Sequence, residues 1–139
     1  MVAWQQFANG QTPQEASIKG DHLVGDYYVL FGAKHKEQIA ALIEEGMTKE
    51  EADKNTPIMK AAQQMLVDWE QGKEDVVALW QKMNSWVYEG FGKTYTRIGA
   101  DFDKNYYESQ TYLLGKEFVQ EGLKKMCFIK KMMVVFGSI

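Results

Sequence analysis

The stretch from Glu74 to about Ile98 constrains the fold more than any other part of the chain. Val76, Val77, Leu79, Trp80, Met83, Trp86, Val87, Phe91, Tyr95 and Ile98 recur mostly at intervals of three or four residues, the spacing that holds side chains on one face of an α-helix. That face calls for burial. A stripe with this many large aromatics is wider than one neighbouring helix covers, so it predicts helices packed on both sides of it. Such a stripe is core before it is anything else, and an aromatic ligand box is the rarer use of the same pattern.

Start and stop signals place further helices around it. Ala3, Trp4 and Phe7 share a face in a helix over 2–8, which Asn9-Gly10 ends. Thr12-Pro13 and Gly20 mark the stretch 11–20 as an exposed loop, with Asp21 as cap of the next helix. Leu23, Tyr27, Leu30 and Phe31 predict a helix over 22–34, in which Gly25 and Gly32 each cost about 1 kcal/mol relative to alanine. Ile39, Leu42 and Ile43 continue the helical pattern to Glu45, and Gly46 stops it. Thr48 with Glu51 forms a capping box, and Thr56-Pro57 is a second helix start. Met59, Ala62, Met65, Leu66 and Trp69 then form a stripe that Gly72 ends, predicting a helical hairpin with the organising helix. After Gly99, Phe102, Tyr106 and Tyr107 lie in a polar run that reads as extended, a short strand at most. From Thr111 to Lys125 the helix pattern returns, with Leu113, Leu114, Phe118 and Leu123 on its apolar side. The fold class this implies is mainly α: a multi-helix bundle with at most a small β element.

At 139 residues the chain fits one core. A net charge of −3 offers no electrostatic case for autonomous nucleic-acid binding. The single cysteine, Cys127, excludes an internal disulfide framework. The longest apolar run, Met132 to Phe136, is too short to span a bilayer, and the start lacks a signal-peptide layout. A soluble, cytoplasmic protein is the expectation.

Several clusters carry residue types suited to chemistry. Asp21, His22 and Asp26 lie within about one helical turn, the kind of set that binds metals, but His35 lies several turns away, and a capped helix start with solvated charges is the better explanation of them. Asp101, Asp103 and Glu108 are a carboxylate group suited to acid-base work, yet no nucleophile stands beside them in the sequence. Lys124, Lys125, Lys130 and Lys131 form a basic run able to touch RNA phosphate, but with an acidic overall charge a solvated surface is the better account of it. Gly90-Phe91-Gly92 sits inside the long helix with no strand before it, which removes the context a phosphate loop needs. Sequence reasoning therefore assigns no catalytic, cofactor-binding or metal-binding residue.

Five blocks carry a resemblance: MVAWQQFANG from Met1, GDHLVGDYYVLF from Gly20, IAALIEEGMT from Ile39, VALWQKMNSWVYEGFGKTYTR from Val77 and DFDKNYYESQTYLLGK from Asp101. Together they resemble arginyl-tRNA synthetases, class I enzymes with a Rossmann-like catalytic domain, across nearly all of residues 1–125. What matches is the helical insertion of that catalytic region. The resemblance implies, for the complete protein, ATP-dependent activation of arginine (with Mg) and its transfer to tRNA. The family's HIGH signature lies upstream of the position matching Met1 and its KMSKS signature far downstream of that matching Lys125, and neither occurs here. The chain alone is thus expected to be inactive, with no cofactor of its own. The resemblance also places Glu108-Ser109 at the end of a strand in an open α/β fold, where ligands tend to bind.

Met126 to Ile139 departs from the family. If Lys124 and Lys125 are encoded by an adenine run, restoring one adenine shifts the frame so that the tail reads Asn-Val-Phe-Tyr-Lys-Lys-Asp-Asp-Gly-Ser-Val-Trp, the family's continuation. Residues 1–125 are accordingly read as family sequence and 126–139 as an out-of-frame ending. Its apolar, β-prone composition gives it the means for self-association. The functional expectation is a fragment of an arginine-tRNA ligase. The alternative, from another class, is a free-standing helical binding or regulatory module derived from a synthetase, and a metal-dependent enzyme built on Asp21, His22 and Asp26 ranks below both.

Overall fold

The computed structural model describes residues 1–125, in seven helices: α1 (Val2–Phe7), α2 (Pro13–Ala16), α3 (Gly20–Glu44), α4 (Lys49–Asn55), α5 (Pro57–Glu70), α6 (Glu74–Ile98) and α7 (Glu108–Lys124). The tail beyond Lys125, with Cys127, Lys130 and Lys131, lies outside the described residues. The chain divides into two units, Met1–Ala100 and the residues from Asp101 onward.

Sequence signals set most helix ends of the first unit. Thr48 and Thr56 cap α4 and α5 as the sequence predicts, and Gly99 ends α6 with a left-handed φ of 70°. The α5–α6 hairpin also forms as expected. Gly72 turns at φ 75°, and the Lys73 N–H donates to the Asp68 carbonyl across 2.9 Å to close the turn.

Three local expectations are corrected. Residues 11–20 are not all loop: Thr12 and Glu15 make a reciprocal capping box that starts α2 at Pro13. Asp21 does not cap α3, because Lys19 is the N-cap and Asp21 lies in the first turn. The patterns before and after Lys34 are one unbroken helix of 25 residues.

The core also differs from the stripe. Val76, Met83 and Trp86 of α6 are buried, as are Trp4, Ala8 and Leu23, but Phe91, Tyr95 and Ile98 are largely exposed. These three lie in the last turns of α6, which runs about 37 Å at 1.5 Å per residue, and their side of the helix is left largely uncovered there. The hub is α3, which packs against α1, α2, α4, α5 and most extensively α6. Where α4 meets α5, Ala52, Thr56 and Ile58 are almost wholly buried. Gln38 of α3 anchors this junction by accepting the Ile58 N–H at 2.9 Å, and His35 Nε2 donates to the Asp53 carbonyl at 2.9 Å.

In the second unit, 101–107 form no strand among the described residues, and Phe102 and Tyr106 are exposed. Asp101 folds back on the local backbone, its Oδ1 accepting the Phe102 N–H at 2.9 Å. In α7, Phe118 is exposed rather than core.

Candidate functional site

Two glycines bring α3 and α6 close together. A Cβ on Gly20 would fall within 2.7 Å of the Trp86 Cβ and closer still to the Trp86 backbone, and a Cβ on Gly90 would meet both the side chain and the backbone of Asp21. The side chains around the crossing are interlocked. Lys19 Nζ donates to Asp21 Oδ2 at 3.2 Å and to Thr94 Oγ1 at 2.6 Å, and Thr94 donates to the Gly90 carbonyl at 3.2 Å. Burial works to raise the Asp21 carboxyl, but the hydrogen bond and charge of Lys19, aided by His22, outweigh it and hold the group below its ordinary value.

Beside this crossing, Trp4 of α1 packs on Trp86 with ring centroids 5.5 Å apart and planes at 64°, while its Nε1 donates to the Gln11 carbonyl at 2.8 Å. Lys82 Nζ lies 5.2 Å from both indole rings, within cation–π range.

Among the described residues, the acidic and histidine clusters singled out in the sequence do not assemble into sites, and half of the basic run, Lys130 and Lys131, lies outside them. His22 is well exposed, with Nε2 4.0 Å from Asp21 Oδ2, and among the described residues no group of three His, Cys, Asp or Glu gathers to hold a metal. Neighbouring residues on a helix point in different directions. Asp101, Asp103 and Glu108 are all exposed, and Glu108-Ser109 opens α7 instead of ending a strand. Lys125 pairs with Glu121 at 2.5 Å.

Sequence reasoning missed an open apolar groove of about 500 Å³ between α1, α3, α5 and α6 in the first unit. Its floor includes Trp69 and Trp80, whose rings stand 5.5 Å apart across the hairpin. Its rim includes Tyr28 and Leu66, 81% and 57% exposed. The signal was present in α5, whose apolar stripe is wider than α6 alone can cover. No described helix is long and apolar enough to cross a membrane.

Comparison with known proteins gives a consistent match. The chain is 56% identical over 131 residues to an arginine–tRNA ligase of Bacteroides thetaiotaomicron, 56% over 130 residues to one of Flavobacterium psychrophilum, and 52% over 130 residues to one of Porphyromonas gingivalis. Each alignment covers 94% of this chain and 22% of the relative. The chain thus spans 22% of the length of the relatives it matches. No protein-family model matches it, and no solved structure does.

Proposed function

The chain belongs to the arginine–tRNA ligase family as a fragment of such a ligase, and from that premise we propose that it is a helical scaffold piece, inert alone, of a protein that activates arginine with ATP and transfers it to tRNA in the cytoplasm. The observation that carries this is identity of 52–56% along 94% of the chain against only 22% of each relative.

The described residues lend little support to an ATP–magnesium site of this chain's own, although Lys19 and Lys93 line a small polar hollow beside Ser17 and Gly20. Among those described, no acidic cluster is placed for the metal, and no charged side chain lines the apolar groove to meet a triphosphate. As part of the same proposal, ATP, arginine and the reacting end of tRNA belong to the remainder of the ligase, since the chain spans only 22% of the length of its relatives. What this chain contributes is the rigid α3–α6 pair and the elements it holds. Nothing favours a free-standing binding module over this reading.

Purified chain is expected to give no arginine-dependent ATP–pyrophosphate exchange above background, and measurable exchange would overturn the proposal. A chimaera in which residues 1–125 replace the matching segment of the Bacteroides thetaiotaomicron ligase is expected to charge tRNA with arginine. The same reading treats residues 126–139 as out of frame. Sequencing the gene through the Lys124 and Lys125 codons is expected to show an adenine run, with Asp-Gly-Ser-Val-Trp encoded in a shifted frame beyond it.

A further inference from the structure

We propose that the groove between α1, α3, α5 and α6 is a docking surface for an apolar, uncharged protein surface supplied by the part of an arginine–tRNA ligase that this chain lacks. This rests on the reading of the chain as part of such a ligase.

Three observations lead to it. The groove is large, about 500 Å³, and built from Val24, Tyr28, Ala62, Leu66, Trp69 and Trp80 together with other apolar groups. Its lining carries no charged side chain, and its polar groups are few, chiefly the Tyr27 and Tyr28 hydroxyls and the amino group of Met1, which burial pushes below its ordinary value, so a largely dry protein surface is the chemistry it complements best. Leu66 is 57% and Tyr28 81% exposed. A contiguous exposed apolar surface of this kind marks a contact surface. The occupant follows from length: the relatives align with this chain over only 22% of their own residues, so most of a ligase lies outside it and is available to cover the groove. Within the described chain, the aromatic floor of the groove is already ordered by the Trp69–Trp80 contact. Docking therefore needs little rearrangement on this side.

Leu66→Glu tests the surface because it places a charge where the partner would sit while disturbing little inside the chain. In the purified 139-residue chain, the unfolding midpoint is expected to stay within about 2 °C of the parent, since the side chain already faces water. In the chimaera with the Bacteroides thetaiotaomicron ligase, the same substitution is expected to lower the midpoint by about 5 °C or more, and Tyr28→Glu to act alike. Silence of both substitutions in the chimaera would overturn the proposal, as would an equal loss in the chain alone. So would sedimentation of the purified chain as a dimer that Leu66→Glu dissociates, which would make a second copy the occupant. A chimaera that fails to charge tRNA before any substitution would instead overturn the functional reading, and the docking surface with it.

Discussion

Two positions of α6, six residues apart, carry the same kind of aromatic contact in opposite surroundings. Trp86 meets Trp4 and Trp80 meets Trp69, each with ring centroids 5.5 Å apart and planes inclined at 64° and 59°. Around Trp86 the backbones of α3 and α6 close in through Gly20 and Gly90, and both Trp4 and Trp86 are 8% exposed. Around Trp80 no helix closes the gap, and the indoles line an open groove. Ring geometry alone does not tell how much a pair contributes. The energy comes from what excludes water around it.

The largest expected effect tests that statement directly. Trp86→Ala opens a cavity beneath α3 and is expected to cost about 4 kcal/mol. Trp80→Ala leaves a hollow that water already reaches, and its expected cost is about 2 kcal/mol. Urea unfolding of the three proteins measures both. Equal losses would break the distinction between the enclosed end and the open one.

Glycine substitutions sharpen it next. At Gly20 or Gly90 an alanine methyl would collide with backbone atoms of the facing helix, which cannot give way as a flexible side chain can. A loss of about 2–3 kcal/mol is expected for either. Gly25, also inside α3, has nothing within 4 Å of its Cβ position, so Gly25→Ala is expected to raise stability by about 0.5–1 kcal/mol. The same substitution in the same helix should therefore change sign over five positions. A destabilising Gly25→Ala would show that α3 is held by something other than its close approach to α6.

This glycine contrast also marks how far the sequence could be read. The span of α6, the caps at Thr48 and Thr56 and the hairpin turn at Gly72 were legible because each depends on residues close in sequence. The central place of α3 was not. Its apolar residues are spread around the helix because helices pack on several sides of it, so no single stripe announces it. Gly20, Gly25, Gly32 and Gly90 look alike in sequence, and only the facing helix distinguishes a required glycine from a tolerated one. The exposure of Phe91, Tyr95 and Ile98 was hidden for a related reason: periodicity reports which residues share a face, not whether a partner reaches that far. The groove escaped because an apolar stripe that lacks a cover looks the same as one that has it. Arginine–tRNA ligase kinship was legible from residue blocks alone, since it is carried by the order of side chains and not by any catalytic motif.

The smallest expected effects concern one carboxylate at each end. Asp21 is paired with Lys19 at the enclosed end, and Asp68 with Lys73 at 3.1 Å at the hairpin. Hydrogen bonds from Gln64 and Lys73 hold the Asp68 carboxyl below its ordinary value, and at Asp21 the Lys19 contact does so against the opposing effect of burial. A carboxylate whose pKa is lower in the folded chain adds stability above its ordinary value of 3.8, and that contribution disappears as pH falls through the folded value. Asp21→Asn is therefore expected to cost about 1 kcal/mol near pH 7, with the gap to the parent closing in acid below about pH 4. Asp68→Asn should follow the same direction with pH. Lys73 is 55% exposed on its side chain against 31% for Lys19, so added salt should weaken the hairpin pair first. Thermal melts of both variants at pH 3 and pH 7, with and without about 0.5 M salt, separate the two ends: the Asp68→Asn difference should shrink with salt at pH 7 while most of the Asp21→Asn difference persists. Equal salt sensitivity would mean that closing the backbones at Gly20 and Gly90 does not shield the charges beside them.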